Sequence, residues 1–111
     1  MLAWEPIVQF CSHLPDVEES TWEGTPALAT RGRVFTHIRP ELDVLVVACS
    51  QAEKDLLLSS GDPAMFTAPM YDGYGAILIN LEPYDYINDL EEILTEGWRI
   101  MHSNAPGFGR E

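Results

Sequence analysis

This sequence is short of positive charge. Against 18 aspartates and glutamates, its 111 residues include only 6 lysines and arginines, for a formal net charge of −12. Non-specific affinity for a nucleic acid comes from lysine and arginine neutralising phosphates, spaced along a duplex at about one charge per 1.7 Å. A chain this acidic repels such a polymer at long range and favours cations or a basic partner. Cysteine is scarce too. Cys11 and Cys49 stand in apolar contexts, one in an expected helix and one in an expected strand, and read as two buried free thiols. Long hydrophobic runs are missing: the longest strongly apolar one, 44–49, is far short of a bilayer span. No basic segment precedes an apolar core at the start, so no signal peptide is expected and the cytoplasm is the expected address. There is no Gly-x-Ser-x-Gly nucleophile elbow. Gly73-Tyr74-Gly75 has neither the third glycine nor the following helix of a phosphate-binding loop.

What is present is an ordinary globular composition, 46% apolar and 22% charged, at a length that fits a single domain over 1–111. Ile7, Phe10, Cys11 and Leu14 recur at helical spacing, which predicts a helix over 6–14 that Pro15 stops. Short strands are expected over 20–23 and 27–30 around a Gly24-Thr25-Pro26 turn. A third, over 33–38, is expected after an Arg31-Gly32 turn, with Val34, Thr36 and Ile38 on one face. The stretch 42–49 is apolar on both faces and reads as the central strand. Ser50-Gln51-Ala52-Glu53 is a capping box opening a helix to about 59, with Gly61 as its stop. Asp62-Pro63 and Ala68-Pro69 predict an irregular segment, and Asp72-Gly73 a turn before a last strand over 74–81. Ile87, Leu90, Leu94, Trp98 and Met101 predict a long helix over 85–102, and the glycine- and proline-bearing end, 104–111, reads as a frayed tail. The pattern is α+β with an antiparallel sheet.

One ordered string of small signals spans nearly the whole chain. It runs Leu14-Pro15-Asp16-Val17-Glu18-Glu19, Trp22-Glu23-Gly24-Thr25-Pro26-Ala27 and Arg31-Gly32-Arg33-Val34-Phe35. It resumes with Phe66-Thr67-Ala68-Pro69-Met70-Tyr71-Asp72-Gly73-Tyr74 and closes on Ile77-Leu78-Ile79-Asn80-Leu81. That order and spacing resemble the MmcQ/YjbR-like family of small α+β proteins. The resemblance implies a frataxin-like sandwich: a twisted antiparallel sheet with the N-terminal and C-terminal helices packed on one face. It also brings the family-level label of DNA binding, which rests on fold analogy, and no catalytic residue to carry over.

The chemistry-bearing residues are few. Arg31, Arg33 and Arg39 are half of the basic residues and sit around one hairpin. They are the candidate nucleic-acid contacts, and Arg33 matches the basic residue that the family carries after its turn glycine. The plainer reading is that they pair with the abundant carboxylates. Trp22, Phe66, Tyr71 and Tyr74, with Phe35, match the family's aromatic positions and form a candidate groove where the 66–74 loop folds over the sheet. His13, His37 and His102 fall in separate elements with no metal-ligand spacing. Asp85, Asp89 and Glu92 fall at i, i+4 and i+7 of the last expected helix. They are a weak cation-site alternative, since frataxin binds iron on an acidic ridge, but such a row is more often a solvated face. The expectation is a non-enzymatic binding domain with no cofactor and no metal, for which a protein partner or self-association is favoured over DNA, with no membrane. An unrecognised enzyme is a further alternative.

Overall fold

The computed structural model describes residues 1–69 and 75–103. The expected 104–111 tail, the Asp72-Gly73 turn and the first residue of the strand expected from 74 lie outside the described residues. Helix α1 spans Trp4–Cys11 and buries Ile7 and Cys11. It starts and ends earlier than the apolar spacing predicts. Pro6 is tolerated at its third position because first-turn amides have no intrahelical partner. Past Cys11 the chain turns on side-chain contacts from Ser12 Oγ and the His13 ring to the Gln9 carbonyl.

Two tight hairpins follow: β1 (Val17–Trp22), β2 (Thr25–Thr30) and β3 (Arg33–Arg39). Their loops are Glu23-Gly24 and Arg31-Gly32, and all four residues have positive φ, 50° and 83° in the first and 54° and 82° in the second. Two left-handed residues in a row are the mark of the type I′ turn, whose twist matches that of the strands it joins. The first turn therefore lies one residue ahead of the expected Gly24-Thr25-Pro26, and Thr25 and Pro26 belong to β2. Pairing of β2 with β3 begins only at Ala27 against His37, so Pro26 costs no ladder hydrogen bond on that side.

Strand β4 (Val44–Ala48) is buried at all five positions. Leu42, expected in it, is exposed in the preceding turn, where Asp43 has φ 55°. Helix α2 (Gln51–Ser59) is capped by Ser50, whose Oγ accepts the Glu53 amide at 3.1 Å. The expected irregular segment contains a two-residue strand, β5 (Met65–Phe66), paired with β6 (Ala76–Asn80). A 3-10 turn (Ile87–Leu90) leads into α3 (Glu91–His102).

The strands make one antiparallel sheet in the order β1-β2-β3-β4-β6-β5, so the fold is the expected α+β arrangement. Register sorts the side chains into two faces. Leu28, Thr36, Val47 and Ile77 oppose one another in turn and share the face that receives α3. Alpha-helical Gly97 lies so close to β4 that a Cβ there would stand 2.9 Å from both the Ala48 carbonyl oxygen and Val47 Cγ1. Helix α1 packs beside α3. The opposite face carries one row that crosses all six strands: Ser20, Ala27, His37, Val46, Leu78 and Phe66.

Candidate functional site

The three hairpin arginines do not converge. Arg33 opens β3 and Arg39 closes it, which at about 3.3 Å per residue puts their backbones about 20 Å apart. Arg39 Nε lies 3.3 Å from Glu41 Oε2. Arg31 points to the end of α3, where its Nη1 donates to the His102 carbonyl at 2.9 Å and so occupies a helix C-terminal acceptor that lacks an intrahelical partner. Around Arg31 the chemistry is mixed. His102 Nε2 lies 2.9 Å from Asp16 Oδ2 and its ring stacks on Trp98 at 4.6 Å, while Trp98 Nε1 donates to the Pro15 carbonyl at 2.8 Å. The hollow beside Arg31, about 430 Å³, is lined by Asp16, Val17 and Glu18 as well. Two carboxylates against one guanidinium make a poor receptor for phosphate.

Of the groove residues, Trp22 and Phe66 share a sheet face but stand on opposite edge strands, roughly 24 Å apart measured across the strands. Tyr71 and Tyr74 lie outside the described residues. Phe66 borders a separate hollow of about 420 Å³ with Leu42, Asp43, Val44, Asn80 and Glu82. Trp22 stacks on His37, with centroids 5.4 Å apart and planes inclined by 18°.

His37, one of the three histidines singled out above, is the one whose complete burial the sequence does not predict. It is only 1% exposed, and neither ring nitrogen has a hydrogen-bond partner among the described residues. Burial lowers its pKa to about 4, with the Arg39 charge adding to the effect, so the ring is neutral at neutral pH and a weak base there. The alternation puts Val34, Thr36 and Ile38 on one face of β3 and His37 on the other, and Phe35 through Ile38 are all buried. The signal that could have found it is β4, whose two apolar faces require a covered neighbour on both sides. His13 is exposed on the α1 side, so the three histidines occupy three separate places. Burial pushes both the Cys11 and Cys49 thiols up to about 12 and keeps them protonated.

The acidic row is also redistributed. Asp85 precedes the 3-10 turn, Asp89 lies in it, and Glu92 belongs to α3, so the three do not form one α-helical stripe. Tyr86, at φ −129° and ψ 142°, is extended and separates Asp85 from the helical segment. Among the described residues no group of three or more histidine, cysteine, aspartate or glutamate side chains is placed to hold a metal ion. No described helix is long and apolar enough to cross a membrane.

No family model matches the chain, and no solved structure matches it. Uncharacterised proteins of Mycobacterium bovis and Mycobacterium tuberculosis are 37% identical to it over 63 residues, which cover 56% of this chain and 48% of theirs. The matched segment thus spans about half the length of these curated relatives.

Proposed function

We propose that this chain is an MmcQ/YjbR-like binding domain that recognises another protein rather than DNA. The observation that supports the reading is the dispersal of its few cations. Arg31 and Arg39 are engaged by the His102 carbonyl and by Glu41, at places far apart on a surface of net charge −12. Phosphate contact needs several lysines and arginines gathered on one face, because each neutralised phosphate adds a counterion-release increment to affinity. A protein partner needs no such face.

The test is titration of labelled duplex DNA followed by fluorescence anisotropy at physiological salt. Affinity no better than the weak end of non-specific binding, roughly 10⁻⁴ M, is the expected result. Sub-micromolar binding that is lost in Arg31→Glu/Arg33→Glu would overturn the reading in favour of DNA.

A further inference from the structure

The two ends of the sheet are unequal. On one side it closes with β5, only two residues long. On the other it ends at β1, six residues long, with no strand beyond it among the described residues. Every second residue of an edge strand sends its amide and carbonyl away from its one neighbour, so β1 offers a row of unpaired backbone groups to an incoming strand. Glu18, Glu19, Ser20 and Thr21 are all exposed, so nothing described covers the row.

The side chains of β1 state what kind of strand fits. Glu18 and Glu19 are consecutive and therefore project from opposite faces of the sheet. Glu19 pairs across to Leu28, on the α3 face, and there lines a hollow of about 440 Å³ with Ala3, Trp4, Glu5 and Val8 of the α1 region. Glu18 lines the hollow of about 430 Å³ that also holds Asp16 and Arg31. A strand laid beside β1 alternates its side chains between these same two faces. From Asp16 to Glu23 the chain carries four carboxylates, Asp16, Glu18, Glu19 and Glu23, and no lysine or arginine. Like charges directly opposed across strands are destabilising, which disfavours a second copy of β1 as the added strand. A basic segment meets the opposite situation, and Trp4 and Val8 give the aliphatic stem of a lysine or arginine an apolar wall.

We propose that the outer edge of β1 takes up, by strand addition, an extended segment of a partner protein carrying two consecutive basic residues. One basic side chain enters the hollow at Glu19 and Glu5, and its neighbour turns to Glu18 on the other face. Main-chain hydrogen bonds hold the segment and the paired carboxylates choose it. The proposal rests on the protein-binding reading above and specifies its site.

The probe is a capped hexapeptide, Thr-Val-Lys-Arg-Val-Thr, titrated into isotopically labelled protein and followed by amide chemical shifts. Saturable shifts confined to β1 and to the residues lining the two hollows are expected. Charge reversal in Glu18→Lys/Glu19→Lys should weaken binding by roughly tenfold or more, since it replaces two attractive pairs by repulsive ones. A peptide of the same sequence, N-methylated on the lysine and valine amides, keeps its charge and cannot complete the ladder, so it should lose the β1 shifts. Equal binding of the methylated peptide, shifts centred elsewhere, or no binding at millimolar peptide would overturn strand addition at β1. None of these results would touch the wider reading, which falls only if the DNA titration succeeds. A dimer seen by sedimentation and abolished by the same double substitution would replace the basic segment with a second copy of the chain.

Discussion

A histidine side chain buried without hydrogen bonds destabilises the fold that holds it, because a desolvated donor and acceptor together forfeit what water gave them. An unsatisfied buried polar group costs about 1–3 kcal/mol. His37 bears that cost in its neutral form, and protonation would add a buried charge close to Arg39. The consequence for pH has a definite sign. The folded pKa, about 4, is depressed below the ordinary value of 6.5. Between those values the unfolded chain binds a proton that the folded chain refuses, so stability falls as pH falls through that window. The loss attributable to this one group, fully developed by about pH 4, is about 3 kcal/mol. Denaturant titrations at a series of pH values between 7 and 4 on the wild type and on His37→Phe check it. The variant should be at least as stable at neutral pH and should show a shallower decline in acid. Parallel declines in the two proteins would mean that the carboxylates alone carry the acid sensitivity. The burial of His37 was illegible in the sequence because Thr36 and His37 are two polar residues in succession, with no alternation to say that both are covered. The position of β3 beside the doubly covered β4 and the Trp22 ring stacked on His37 bury it.

At the scale of the element, α3 shows what side-chain periodicity conveys and what it leaves out. The apolar spacing placed Leu90, Leu94 and Trp98 in the core; both leucines are fully buried, whereas Trp98 is half-buried and donates its Nε1–H to the Pro15 carbonyl. It did not separate the 3-10 turn from the α-helix, since both present i, i+3 neighbours on one side. Nor did it mark Gly97, which reads as a weakness in a helix and is instead what lets α3 approach β4. Leu94→Ala should cost about 2–5 kcal/mol, as for other fully buried leucines. Gly97→Ala is the sharper measurement. Helix propensity alone would stabilise by about 1 kcal/mol. The added methyl, however, meets the Ala48 backbone oxygen at 2.9 Å, an atom that moves only with its strand. We expect a net loss of stability in thermal unfolding, and a gain would show that α3 has room to retreat. The same scale explains the hairpins. Arg31-Gly32 was legible as a turn, whereas Glu23 as the first left-handed residue of its turn was not, because glutamate seldom adopts that conformation. Strand β5, at two residues, is too short to show any period.

For the molecule as a whole, the acidity is spread rather than focused. Asp85, Asp89 and Glu92 fall in three successive pieces of backbone. A bound ion must be ligated by several oxygens at once, and these three carboxylates do not share one helical face. A ligand stabilises only through its affinity for the folded form, and a site saturated a hundredfold above its Kd would contribute about 2.7 kcal/mol. That would shift the melting temperature of a domain of this size by several degrees. No such shift is expected with calcium, magnesium or ferrous iron at millimolar concentration. A rise that vanishes in Asp89→Asn would establish a metal site.

The inequality of the sheet's two ends has a bearing on stoichiometry. A sheet with two long open margins can extend indefinitely, each recruit exposing a fresh margin for the next, and that is how strand pairing runs on into fibres. Among the described residues one edge strand is two residues long and the other is lined with negative charge. A basic strand that settles along the charged margin neutralises it and presents its own far side, which carries no carboxylates to select another. On the strand-addition proposal growth therefore stops after a single recruit, and the expected complex is one-to-one.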